Sequence, residues 1–255
     1  MEYIMKNNMH GIRAVTFLVV FSAASIVPLD AQVALKLGGG IGITSTVSDL
    51  NGNTMEYYSG TRYGLNSGMN IHGKAKIGLS GLDLVGEMDY SSLGNTGNSE
   101  PGQGNVELSQ KIFSLKAGPE LHISIPALPI APYIGVNVAW NRFSGETIFR
   151  GVAKVASATY SVKEATRLGV GFTIGTEVSI GPALTLDFTT SYNFMNLSGN
   201  EWEDVNPTIN QRIDTYLSLN DSKDPQFVAG DDKHFVANDR SIHSMLFTVS
   251  ILFGL

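Results

Sequence analysis

No cysteine occurs anywhere in the 255 residues, so no disulfide can staple the fold. After Val27, no apolar run approaches the roughly 20 residues that a membrane-spanning helix needs. Any passage through lipid must therefore be made by strands. Basic residues are also scarce, with 17 Lys and Arg against 23 Asp and Glu and a net charge of −6. That balance argues against nucleic acid as a partner.

The N-terminus reads as an export signal. Lys6 and Arg13 precede an apolar run through Phe17, Leu18, Val19, Val20 and Phe21. Ala31 then offers a small residue before Gln32, so residues 1–31 are expected to be a cleavable signal peptide. Removing them takes two charges of each sign and leaves the balance unchanged. An exported chain without disulfides needs another source of stability, and a closed, hydrogen-bonded barrel supplies one. Residues 32–255 are expected to form that single domain.

Its pattern is alternation with period two, the mark of a strand with one apolar face. In the closing stretch, Phe247, Val249, Ile251, Phe253 and Leu255 share one parity; Thr248, Ser250 and Gly254 share the other, with Leu252 the exception. Seven earlier segments repeat this. Leu35, Leu37, Ile41 and Ile43 alternate with Lys36, Gly38, Gly40, Gly42 and Thr44. The glycines there resemble a phosphate loop, but a dinucleotide fingerprint requires a helix directly after them and residues 44–47 make none. Further strands fall at residues 65–79, 82–90, 106–125, 134–140, 168–180 and 184–194. Polar connections at 49–63, 91–105, 145–165 and 196–240 alternate with tight turns near Gly81, Pro126 and Gly181. The 145–165 connection alternates weakly itself, which suggests strands continuing past the membrane.

Eight antiparallel strands with long and short connections in strict alternation predict an up-and-down transmembrane β-barrel, apolar face to lipid. The count becomes ten if residues 210–219 (Ile213, Thr215, Leu217, Leu219) add a hairpin that enters the membrane. The opposite parity is rich in Gly, Ser, Thr and Asn, as suits a packed lumen. Within it, Lys36, Lys74, Lys76, Lys116 and Arg167 face Glu87, Asp89, Glu120, Glu177 and Asp187. Five charges of each sign in a narrow cylinder must pair, because an isolated buried charge is costly. The expected lumen is a salt-bridged plug; a narrow ion path through the same charges is the alternative. Tyr90, Trp140, Tyr192 and Phe194 lie on the apolar parity near the long-connection ends and should form an aromatic belt.

With these strands, connections and ending, the chain resembles the small outer-membrane β-barrel family that includes the transmembrane domain of outer membrane protein A. It is most similar to stand-alone, porin-like versions found in Gram-negative bacteria. Phe247, Val249, Ile251, Phe253 and Leu255 resemble the family's assembly signal, though the family usually ends in an aromatic residue. The resemblance implies an outer-membrane monomer set among lipid and lipopolysaccharide and inserted by the barrel-assembly machinery. No separate peptidoglycan-binding domain, and so no anchoring role of that kind, is expected.

No catalytic set emerges, and neither a metal nor a cofactor is expected. His122-Ile-Ser124 has the spacing of outer-membrane lipid A deacylases, but both residues fall on the lumen parity and Val136 stands where an acid would be wanted. His72 reads as another lumen polar residue. His234, after Asp231 and Asp232, reads as solvated loop. The expected function is structural or binding. The last long connection, with Trp202, Tyr216, Phe227 and Phe235, is the expected surface for an extracellular ligand.

Overall fold

A computed structural model describes residues 34–79, 81–100, 102–123, 125, 128–153, 155–203, 214–228 and 236–255. The signal-peptide reading lies outside these residues. Eight antiparallel strands close into a barrel in chain order: β1 (Ala34–Ser48), β2 (Asn66–Leu79), β3 (Leu82–Glu100), β4 (Gln103–His122), β5 (Ile130–Arg150), β6 (Thr159–Ser179), β7 (Leu184–Ser198) and β8 (Ile242–Gly254). No described helix is long and apolar enough to cross a membrane.

The alternation sets the wall. Odd residues of β1 and β8 face outward, so Ile41 pairs with Val249, Ile43 with Phe247 and Leu37 with Phe253. These and their counterparts Ile71, Leu84, Met88, Leu115, Val138, Phe172 and Ile174 stay exposed, an inversion of the soluble pattern. Only lipid makes such an exterior favourable. The glycines of β1 serve closure. A Cβ on Gly38 would lie 1.9 Å from the Ile251 carbonyl oxygen, and one on Gly40 2.0 Å from that of Val249. The β1–β8 seam is thus too tight at these two positions for any larger residue.

Strand ends depart from the alternation at the long-connection side. The 91–105 segment is not a loop: β3 and β4 run on as a ladder to Glu100↔Gln103. Its Asn, Gly and Ser content suggested a loop, yet an antiparallel ribbon outside the lipid tolerates both faces polar. β5 and β6 extend similarly, pairing out to Ile148↔Thr159. The asymmetry between the two sides therefore lies in strand length as much as in loop length.

The 49–63 connection contains a helix, Thr54–Tyr58, started by a capping box. Asn53 Oδ1 accepts from the Glu56 amide, and Glu56 Oε2 accepts from the Asn53 amide, both at 2.9 Å. The ten-strand alternative fails. β7 pairs directly with β8, and Asp214–Leu217 is one helical turn. Residues 210–213 lie outside those described. Of the alternating residues that are described, Leu219 is buried and Leu217 packs partly buried against the same core, so neither faces lipid.

Candidate functional site: the barrel interior and its cap

Inward positions toward the short connections carry charge. Lys76 Nζ lies 2.7 Å from Glu120 Oε2, 2.9 Å from Glu177 Oε1 and 3.4 Å from Asp187 Oδ2. Lys74 Nζ reaches Asp187 at 2.8 Å and Glu87 at 3.4 Å; Lys116 Nζ reaches Asp89 at 2.6 Å and Glu87 at 3.1 Å. Lys36 pairs with Glu177. The pairs recur because strands place Lys74, Lys76, Glu87 and Lys116 at cross-strand positions on one face: Lys74↔Glu87↔Lys116 runs across β2, β3 and β4. Tyr133, buried on β5, donates to Asp187 Oδ1 at 2.6 Å and lays its ring 4.2 Å from Lys76 Nζ. Side chains of Lys74, Lys76 and Asp187 have no exposed surface, so these ions interact in a medium of low polarity. His72 sits among them, its Nε2 2.7 Å from Ser250 Oγ.

Arg167 does not join this group. It forks onto Asp221, Nε to Oδ2 at 2.9 Å and Nη2 to Oδ1 at 2.8 Å, and reaches Glu201 at 3.1 Å. The parity was right, but Arg167 stands higher in the barrel, level with the β7–β8 connection that folds down to meet it. Asn196 supports the same carboxylate and accepts from the Ile242 amide. Asp83, buried on β3, adds an acid to the ten charges expected to pair. It stands 3.1 Å from His122 Nε2, which is also 3.8 Å from Glu120. His122 therefore has an acid beside it on β3, while Val136 faces outward. Ser124 lies outside the described residues.

Toward the long connections the interior turns apolar. Leu93, Val106, Leu108, Ile112, Phe143 and Phe149 point inward from β3, β4 and β5. Onto them pack Leu50, Tyr57, Tyr58 and Tyr63 from the first connection and Tyr216 and Leu219 from the last. Tyr216 is central, its ring 4.9 Å from that of Phe149, 5.3 Å from that of Tyr57 and stacked on Tyr58. Each phenol finds an acceptor or hydroxyl partner: Tyr57 with Thr147 at 2.7 Å, Tyr58 to the Ala153 carbonyl at 2.8 Å, Tyr63 to that of Leu219 at 2.9 Å. Arg240 lies over the Tyr63 ring and donates to the Leu219 and Asn220 carbonyls. Burial pushes the Tyr57 phenol up to about 12, against the Thr147 hydrogen bond and the Arg240 charge, which lower it. Tyr63 and Tyr216 are raised for the same leading reason.

The expected contact residues separate accordingly. Tyr216 is a core residue, not a surface one; Trp202 and Phe227 are half-buried, and Phe235 lies outside the described residues. His234, Asp231 and Asp232 fall outside them too. Of the belt residues, Tyr90 is exposed and Trp140, Tyr192 and Phe194 are half-covered by neighbouring rings. Phe113 meets Trp140 edge-on at 6.3 Å, and Phe194 lies 5.0 Å from Tyr192 and 6.2 Å from Phe172.

An apolar exterior, a charged interior and a closed ring of eight antiparallel strands define a β-barrel of the outer-membrane kind. Among solved structures, the chain is similar to Neisserial surface protein A, at 13% identity, covering 87% of this chain and 96% of that one, with a TM-score of 0.46. It is similar also to a major outer membrane protein from Thermus thermophilus, at 14% identity, 88% and 100% coverage, and a TM-score of 0.47. A third likeness is to the outer membrane protein OprG from Pseudomonas aeruginosa, at 8% identity, 88% and 97% coverage, and a TM-score of 0.41. No family model matches the sequence, and no curated protein does.

Proposed function

We propose that this outer-membrane barrel is a closed structural and binding element that conducts no ions, acts on no substrate and serves as a rigid base for its outer connections. One observation carries the reading: the interior is filled at two successive levels, by fully buried ion pairs around Lys76 and then by the aromatic cluster around Tyr216. An ion crossing the barrel would have to displace both. Interiors of eight-stranded barrels are just wide enough for side chains to fill them, which agrees with that arrangement. The exterior meets lipid and lipopolysaccharide, and β8, the strand that closes the ring, is the segment for the assembly machinery to read. Extracellular ligands would meet exposed residues on the long-connection side, such as Leu197 near the end of β7 and Gln226 and Val228 in the β7–β8 connection.

Planar-bilayer recording tests the closed interior. Purified barrel should give no steady open-channel current at voltages where porins conduct. Sustained unitary conductance that survives repurification would overturn the reading and support a narrow channel.

A further inference from the structure

The buried ion cluster is unbalanced. Among the described residues, Lys36, Lys74, Lys76 and Lys116 meet six carboxylates: Asp83, Glu87, Asp89, Glu120, Glu177 and Asp187. The lysines are two short of the carboxylates, and Asp83 meets His122 instead of a lysine at the short-connection mouth, where Glu177 also converges. One ligand-capable atom from each lies within 4.8 Å of the other two. His122 is nine-tenths buried, and its Nε2 makes no aligned hydrogen bond; Glu177 Oε1 likewise has an ionic neighbour, Lys76, but no hydrogen bond. An imidazole nitrogen without an aligned hydrogen bond, 3.1 Å from Asp83 and close to Glu177, offers with them three ligand atoms of the kinds that zinc takes.

We propose that Asp83, His122 and Glu177 bind one divalent transition-metal ion at the mouth of the barrel. One imidazole and two carboxylates suit zinc, with water completing a four-coordinate shell. Magnesium and calcium prefer all-oxygen sets. Zinc bonds of about 2.0–2.2 Å set ligand atoms roughly 3.4 Å apart. Asp83 and His122 already stand at 3.1 Å, so the Glu177 carboxylate has only to draw inward. The competitors are Lys76, 2.9 Å from Glu177 Oε1, and Lys36, which holds Oε2. The Lys36 side chain is 27% exposed and can swing out to water, whereas Lys76 keeps Glu120 and Asp187. The ion would neutralise the two-charge surplus that the lysines leave.

Barrel purified in detergent and stripped with a chelator should bind one zinc ion per chain in calorimetric titration, with excess magnesium failing to compete. Removing one ligand should weaken binding at least about tenfold. His122→Ala is the first variant; Asp83→Asn, which keeps shape, is the second should the first not refold, as judged by heat-modifiable migration. Lys36→Ala should tighten binding by removing one competitor. His234→Ala, in the outer connection, should change nothing. The proposal is overturned by an absence of saturable zinc binding, by unaltered affinity in folded His122→Ala or Asp83→Asn, by loss of binding in His234→Ala, or by unaltered or weaker affinity in Lys36→Ala.

Discussion

Toward the short connections, Lys74, Lys76 and Asp187 are held without any exposed surface by strand residues alone. Toward the long ones, Tyr57, Tyr63 and Tyr216 are also buried, but the connections carry them in and pack them onto strand residues such as Leu93 and Phe149. The lower level is built from neighbours in the ladder, so it exists as soon as the ring closes. The upper level is built across large sequence separations, Tyr63 to Leu219 being one example, and needs the connections to fold onto a finished wall. The lower level stakes stability on ion pairing in a medium that penalises unpaired charge; the upper stakes it on aromatic area. Losing a partner should therefore hurt the first more and spread further through the molecule.

The sharpest break of that comparison is Lys76→Met, which keeps most of the volume and removes the cation shared by Glu120, Glu177 and Asp187. Deleting one partner of a buried pair costs about 3–5 kcal/mol. Urea unfolding in micelles, with chelator present, should show a midpoint lowered accordingly and the whole barrel losing its heat-modifiable form together. A change below about 1 kcal/mol would mean that the cluster rearranges around the vacancy. In the upper level, Tyr216→Ala removes the ring on which Tyr57, Tyr58 and Phe149 converge. Large-to-small changes of this kind cost about 3 kcal/mol. Here the loss should stay local: protease should nick the 198–242 connection faster while the folded barrel still migrates as such. Unfolding of both levels together would show that the cap is part of one cooperative unit with the wall.

This difference also explains how much could be read from the sequence. Parity along a strand is a local property, so the inner placement of Lys74, Glu87, Lys116 and Asp187 follows from counting by twos. Height along the barrel is not local. Arg167 shares their parity but stands level with Asp221, 54 residues away and in a segment without periodicity. The cap was illegible for a related reason. Tyr57, Tyr58 and Tyr63 sit in a polar stretch whose five-residue helix is too short to show a 3.6-residue period. One signal was available: above Ser91 and Ser114 the inner parity changes from charged to apolar, at Leu93, Ile112, Leu108 and Val106, and those residues require apolar partners that the wall does not supply.

Alkaline titration separates the levels most gently. The Tyr57 phenol is held neutral to about pH 12 by burial, whereas an unfolded tyrosine ionises near 10. Between those values the unfolded chain has released its proton and the folded cap has not, so unfolding gains on folding as pH rises. The contribution is whole below pH 10 and is lost from about 10 to 12. Roughly two pK units correspond to about 3 kcal/mol at most for this one phenol. Phenolate absorbance should consequently lag behind that of free tyrosine, and the 198–242 connection should become protease-sensitive only as the buried phenols ionise. Tyr57→Phe retains the ring and removes the proton, so its cap should lose stability over that window by a correspondingly smaller amount than wild type. A cap that opens at the same pH and to the same degree in both proteins would assign the alkaline transition to another group.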